Sequence, residues 1–205
     1  MINIEMLSKI YNKKVIYKNI NLEFKPNQTY ALIGSSGSGK TTLLNALARL
    51  EKPTSGRVLI DGIDIWKMKE KSFFKKYLGY VFQNYALIDN KTVLQNLKLV
   101  NTNTVKINDA LKKVGLSKDM LRSKIYELSG GQAQRVAIAR MLLKEKRIIL
   151  ADEPTGALDE KTGNDIIDLL FSLVDENTYI IVATHDKNVY SRADNIIDVS
   201  KFLEH

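Results

Sequence analysis

The sequence predicts an α/β fold: a mostly parallel sheet, preceded by an early antiparallel β subdomain and interrupted by a helical insertion. Three observations carry this expectation. Residues 148–150 and 179–182 are continuously apolar, as parallel strands covered on both faces must be. Helix-period segments alternate with them after Gln132. Between about Tyr85 and Glu127 apolar residues recur at helical spacing, and nothing reads as a strong strand.

Taken in order, residues 2–6 alternate apolar with polar side chains, and Ile20, Leu22 and Phe24 alternate again, which predicts strands. Residues 30–33 form a short apolar run entering a glycine-rich loop. Helical spacing of Leu43, Leu44, Leu47 and Leu50 predicts a helix over 40–50. Residues 58–60 and 63–65 flank Asp61-Gly62, a hairpin turn signal, and 78–82 read as another strand. The insertion holds helices over 93–100 and 107–114. Then follow a helix over 132–143, a strand over 148–151, a helix over 161–174, and strands over 179–183 and 195–199. The expected organisation is one domain over 1–202, with its core at about 1–84 and 132–202 and the helical subdomain at about 85–131. Residues 203–205, Leu-Glu-His, read as the start of a cloning-derived polyhistidine tag.

Composition narrows the function class. The chain has 205 residues, 44% of them hydrophobic, which argues against disorder. No apolar run approaches the roughly 20 residues that span a bilayer, and the first ten lack a signal peptide's continuous apolar stretch. Zero cysteines exclude disulfides and thiolate metal sites, which fits the cytosol. The net charge of +8 invites a nucleic-acid reading, yet most basic residues are Lys. The densest cluster, Lys67, Lys69, Lys71, Lys75 and Lys76, interleaves with Trp66, Met68, Phe73, Phe74 and Tyr77, as a solvated helix face with an apolar underside would. No direct nucleic-acid contact is expected.

The chemistry starts at Gly34, Ser35, Ser36, Gly37, Ser38, Gly39, Lys40 and Thr41, which fit G-x-x-x-x-G-K-[ST] and continue into Thr42. In a chain of this composition the fixed positions recur by chance roughly 0.01 times. Backbone N–H groups at a helix start would cradle phosphate, Lys40 would reach the β- and γ-phosphates, and Thr41 would ligate Mg²⁺. The strand ending at Ala151 is followed by Asp152 and Glu153. Neighbours on a strand point opposite ways, so Asp152 is expected at the metal and Glu153 where water attacks. Ser129, Gly130 and Gly131 at a helix start form a second anion cup, although alone they would read as a plain Ser N-cap.

Leu128-Ser-Gly-Gly-Gln132, followed by Ala133-Gln134-Arg135 and running to Arg140, resembles the signature of the ATP-binding cassette (ABC) ATPase family. The resemblance covers nearly the whole chain and implies a phosphate-loop ATPase core. By that resemblance Gln83 is the Q-loop glutamine near Mg²⁺ and the attacking water, Asp159 belongs to the D-loop, and His185 is the switch histidine contacting the γ-phosphate. Tyr11 resembles the aromatic that stacks on adenine, with Tyr17 a nearby alternative. The family implies ATP and Mg²⁺ as cofactors, and an ATP-dependent head-to-tail homodimer. In it, Ser129, Gly130, Gly131 and Gln132 of one subunit cover nucleotide on the other's phosphate loop.

Residues 152–159, Asp-Glu-Pro-Thr-Gly-Ala-Leu-Asp, with Tyr80-Val-Phe-Gln83, resemble the export branch that includes macrolide, antimicrobial-peptide (bacteriocin) and lipoprotein-release ATPases. The departures are Asn27-Gln28 where many members have Gly-Glu, Ala133 in the signature helix, and a tail over 187–202 without the usual Asp-Gly hairpin. The branch implies a separate transmembrane permease docking near Tyr85, Leu87 and Ile88, and a cytoplasmic position on the inner face of the membrane. Import ATPase and soluble non-transport ATPase are the alternatives.

Overall fold

The structure is a computed structural model in which residues 1–202 are described. The expected tag at 203–205 lies outside the described residues. A five-stranded parallel sheet has the order β6 (Leu78–Val81), β7 (Ile148–Asp152), β8 (Tyr179–Ala183), β3 (Gln28–Ile33), β9 (Asn195–Asp198). Strands β7 and β8 are buried almost throughout, which is why their sequences are apolar without alternation.

Alternation reappears as a division between two cores. Ile148, Leu150, Tyr179 and Ile181 face one side, where they meet Leu43, Leu44 and Leu47 of α1 (Lys40–Leu47) and Ile2, Phe24 and Ile60 of a second sheet. Ile149, Ala151, Ile180 and Val182 face the other. There they meet Val136 and Ile138 of α5 (Gly130–Leu142) and Ile166, Ile167 and Leu170 of α6 (Glu160–Phe171). Burying each such large side chain contributes about 1.5–3 kcal/mol, so the central sheet ties both layers together.

The second sheet is antiparallel, with the order β2 (Lys14–Phe24), β1 (Ile2–Tyr11), β4 (Ser55–Ile60), β5 (Ile63–Asp64). β1 and β2 are longer than the alternation predicts. Register shifts follow Ile4, and both Met6 (φ 46) and Asn19 (φ 53) are left-handed. Such bulges break the two-residue period while pairing continues past them. Asp61 (φ 50) and Gly62 (φ 79) form the expected two-residue turn, but β5 stops at Asp64 rather than Ile65.

Several helix ends are set by caps that spacing alone misplaces. α1 ends at Leu47 because Arg49 turns left-handed (φ 57), leaving Leu50 exposed. α2 (Glu70–Lys76) buries Phe73 and leaves its lysines outside, as expected. α3 (Val93–Lys98) starts in a Thr92/Gln95 capping box, and α4 (Thr104–Lys113) is capped by Asn103. α5 begins at Gly130 and α6 at Glu160, each earlier than predicted, because Ser129 and Asp159 are their N-caps. A single turn, α7 (Lys187–Tyr190), was not predicted. After it, β9 joins the edge of β3, where the Asp194 carboxylate accepts hydrogen bonds from the Thr29 N–H and hydroxyl, both at 2.8 Å.

Candidate active site

The carboxyl ends of β3, β7 and β8 lie side by side, and open parallel sheets bind ligands at that edge. β3 runs into the loop 34–39, which delivers the chain to the start of α1. Gly39 is the N-cap of α1 at φ 92, where a Cβ would also stand 2.8 Å from Ile16 Cγ2. Only glycine fits both demands. Lys40 is buried, and its ammonium arches over the loop to donate to the carbonyls of Gly34 (2.8 Å) and Ser35 (3.1 Å).

Across from α1, the Thr41 hydroxyl donates to Asp152 Oδ1 at 3.1 Å. Burial pushes the Asp152 carboxyl up, as does the neighbouring Glu153 charge, against the Thr41 hydrogen bond and the Lys40 ammonium. Two adjoining oxygens of this kind suit a hard divalent cation. Among the described residues no group of three or more His, Cys, Asp or Glu could hold a metal.

Asp152 and Glu153 do diverge, but not for the reason the sequence offered. β7 ends at Asp152, and Glu153 sits at φ 43 in the left-handed region. Its N–H donates to the Ala183 carbonyl at 2.9 Å, and its side chain swings towards β8. Glu153 Oε1 lies 2.7 Å from His185 Nδ1, and Oε2 accepts a hydrogen bond from the Thr184 hydroxyl at 3.3 Å. The carboxylate is largely buried while the His185 ring is exposed.

A cavity of about 640 Å³ opens over these groups, lined among others by Ser36, Gly37, Gly39, Lys40, Thr41, Thr42, Gln83, Glu153 and His185. That volume is ample for a nucleotide. A larger cavity of about 840 Å³ lies between α2, α4 and the end of α5, away from every residue just named. Chemistry, not size, marks the candidate site.

The structure does not bring every expected residue here. Tyr11 ends β1, half exposed, with the Lys9 ammonium 4.6 Å from its ring centroid, and it is not among the residues lining the cavity. Tyr17 is fully buried, and burial raises its hydroxyl pKa, so it is a core side chain. Lys14 and Ile16 line the cavity instead; the sequence offered no local sign, because β2 reaches the phosphate loop only through the sheet. Ser129, Gly130, Gly131, Gln132 and Asp159 form a separate cluster. Ser129 and Gln132 close a capping box, and Gln132 Oε1 accepts from the Ser129 N–H at 2.9 Å. Asp159 caps α6 by accepting from the Thr162 N–H at 3.0 Å, and the Thr162 hydrogen bonds hold its carboxyl below the usual range. A Cβ on Gly131 would lie 2.4 Å from Thr162 Cγ2, so the two helix starts touch where only glycine fits.

Residues 17–156 match the ABC transporter family model. Over 96% of its length the chain is 42% identical to YvrO of Bacillus subtilis, an uncharacterized ABC transporter ATP-binding protein, and it covers 92% of that protein. It is also 42% identical to the macrolide export ATP-binding/permease protein MacB of Campylobacter fetus, matching over 90% of this chain but 30% of that protein. Among solved structures, the dimeric ABC transporter cassette MJ0796 superposes with a TM-score of 0.84 at 35% identity, covering 98% of this chain and 95% of that one. The same cassette is known as a post-hydrolysis dimer bound to ADP and Pi. This chain therefore belongs to the ABC transporter family and is an ATP-binding cassette ATPase.

Proposed function

We propose that the chain, acting as one unit over residues 1–202, dimerises on ATP, hydrolyses it, and drives export through a separate membrane permease. The observation that carries the catalytic part is the convergence of Lys40, Thr41, Asp152, Glu153 and His185 at one sheet edge. The loop 34–39 and the start of α1 bind the ATP phosphates, and the Lys40 ammonium leaves its loop carbonyls for phosphate oxygens. Thr41 and Asp152 would hold Mg²⁺, with Gln83 lining the same cavity as Thr41, and the chemistry it would supply is neutralisation of phosphoryl charge. Glu153 orients the attacking water and accepts its proton, while His185 steadies the carboxylate from Nδ1 at the cavity wall.

The cluster at 129–132 and Asp159 explains the need for two copies. It stands apart from the phosphate loop within one chain, and its N–H groups and Ser129 hydroxyl suit nucleotide held by a partner. A two-fold axis then builds two equal sites. The dimeric state of the MJ0796 cassette supports a dimer here. Tyr11 stays a candidate for adenine only if the nucleotide extends beyond the cavity along β1.

For coupling, an apolar groove lies beside the Q-loop, lined by Leu50, Phe74, Tyr80, Phe82, Val100 and Arg140. It shares Phe74, Val100 and Lys144 with the larger cavity, where Lys71, Lys75, Lys106 and Lys113 outnumber Asp109 and Glu145. Ile88 is exposed on a loop pinned by buried Asn96, whose side chain bonds both the Ile88 N–H (2.8 Å) and carbonyl (3.1 Å). We assign this face to an amphipathic, acid-flanked segment of the permease. Among the described residues no helix is long and apolar enough to cross a membrane, and the Campylobacter relative is named as ATP-binding protein and permease in one chain. Here the chain would sit on the inner face of the membrane. The macrolide-export names of several relatives support export over import, with antimicrobial, bacteriocin-like or lipoprotein cargo.

Phosphate release from the purified chain, with light scattering of Glu153→Gln with and without ATP, tests the catalytic reading. Turnover that survives Glu153→Gln, or an ATP-bound variant that stays monomeric, would reject it.

A further inference from the structure

The helix that carries Ser129–Gln132 at its tip also carries Gln134, whose side chain is fully buried. Its Nε2 donates to the Pro154 carbonyl at 2.8 Å, and its Oε1 has no partner. An amide buried with half its hydrogen bonding unmet is a poor choice for packing alone, because a methionine would fill similar space without the desolvation penalty. What the amide provides is one donor, aimed at the residue after Glu153.

That position matters because Glu153 is left-handed at φ 43, a conformation that a residue with a Cβ keeps only where its surroundings impose it. Three hydrogen bonds do so. The Glu153 N–H donates to Ala183 at 2.9 Å, the Gly156 N–H donates to the Glu153 carbonyl at 3.1 Å, and Gln134 holds Pro154. The first comes from the sheet and the second from the turn itself. Only the third comes from α5.

The tip of α5 is equally tied to the segment after the turn. Gly131 packs on Thr162, and Gly130 lies against Leu158. One helix therefore joins two places, the 129–132 cluster, whose Ser129 is exposed, and the backbone that aims the Glu153 carboxylate.

We infer that Gln134 is a positioning residue: by holding the Pro154 carbonyl it couples the orientation of the signature helix to the aim of Glu153. This rests on the catalytic reading above and adds to it a path within each subunit. When nucleotide on the partner draws in the helix tip, the same helix sets this subunit's own base. Each site then responds to the occupancy of the other.

The test uses the full chain with Gln134→Met, which keeps bulk and removes the donor. Turnover should fall about ten-fold or more, while KM for ATP stays within about two-fold, because the aim of the base is lost and nucleotide contacts are not. Thermal unfolding should be no easier than in the wild type, and Glu153→Gln combined with Gln134→Met should still dimerise with ATP. The decisive comparison is in a Glu153→Ala background, where Gln134→Met should leave the residual turnover unchanged, since a residue acting through Glu153 has nothing left to position. Wild-type turnover in Gln134→Met, a parallel loss of ATP affinity, or a further drop in the Glu153→Ala background would each overturn the inference. A wild-type chain without turnover, or a Glu153→Gln chain that does not dimerise, would instead reject the catalytic reading and this inference with it.

Discussion

His185 Nδ1 lies 2.7 Å from Glu153 Oε1, so the exposed imidazole at the end of β8 and the largely buried carboxylate after β7 form one hydrogen-bonded unit. The two residues are 32 positions apart. Parallel pairing of Asp152 with Ala183 places their backbones together, and the left-handed turn at Glu153 brings the side chains into contact.

Replacing Glu153 by Gln keeps the shape and the hydrogen bond from Thr184 but removes the proton acceptor. Phosphate release should fall about 10²-fold or more. Nucleotide binding should persist, and an ATP-stabilised dimer should accumulate in gel filtration or light scattering.

Asp152→Asn should separate stability from activity. The fold raises the Asp152 carboxyl pKa, chiefly by burial, so the folded chain binds this proton more tightly than the unfolded chain does. The resulting loss of stability is absent below the unfolded carboxylate pKa of about 4, grows as pH rises through the raised folded value, and is complete above it. Asn cannot ionise. The variant should therefore melt higher than the wild type at pH 7, by about 2–4 °C for each kcal/mol recovered, and the difference should shrink as pH falls. Mg²⁺-dependent turnover should nevertheless be lost, as calorimetry paired with a phosphate assay would show. In the wild type, the Mg²⁺ requirement should rise on the acid side, because protons and metal compete for the same carboxylate.

Gly131→Ala should force α5 and α6 apart, because the new methyl group would stand 2.4 Å from Thr162 Cγ2. Overpacking of this kind costs about 1–3 kcal/mol, measurable by urea unfolding. Thr162→Ser deletes the opposing methyl and should restore most of the loss in the double variant, a non-additivity expected only of direct contact.

Leu50→Asp tests the groove. Leu50 is half exposed, so the change should alter the melting temperature and the basal phosphate release of the purified chain little. In cells carrying the intact transporter it should release the chain from the membrane fraction, because an acidic group would meet the acid-flanked segment proposed for the partner. Unchanged membrane association would move the docking surface elsewhere.

Much of this protein is legible locally. The spacing 34–41 and the acidic pair after an apolar strand are short-range patterns that residue type alone makes legible, whereas Asp159 shows itself as an N-cap only in the fold, where it and Ser129 start α6 and α5 earlier than periodicity predicts. The continuous apolar runs of β7 and β8 likewise announce a buried parallel sheet, because both faces must exclude water. Other features depend on neighbours remote in the chain. Periodicity stops at a bulge, so the true lengths of β1 and β2 come from pairing rather than alternation. Tyr11 and Tyr17 are equivalent as residue types, and only packing makes one exposed and the other core. Asp152 and Glu153 diverge through a backbone angle that residue identity does not encode. The amide of Gln134 gains its meaning only when α5 packs against a turn twenty residues further along the chain. The sequence by itself determined the family and the phosphate-loop pattern; the tertiary structure decided how the Glu153 carboxylate is aimed, because that aim is held by hydrogen bonds between elements that meet only in the folded state.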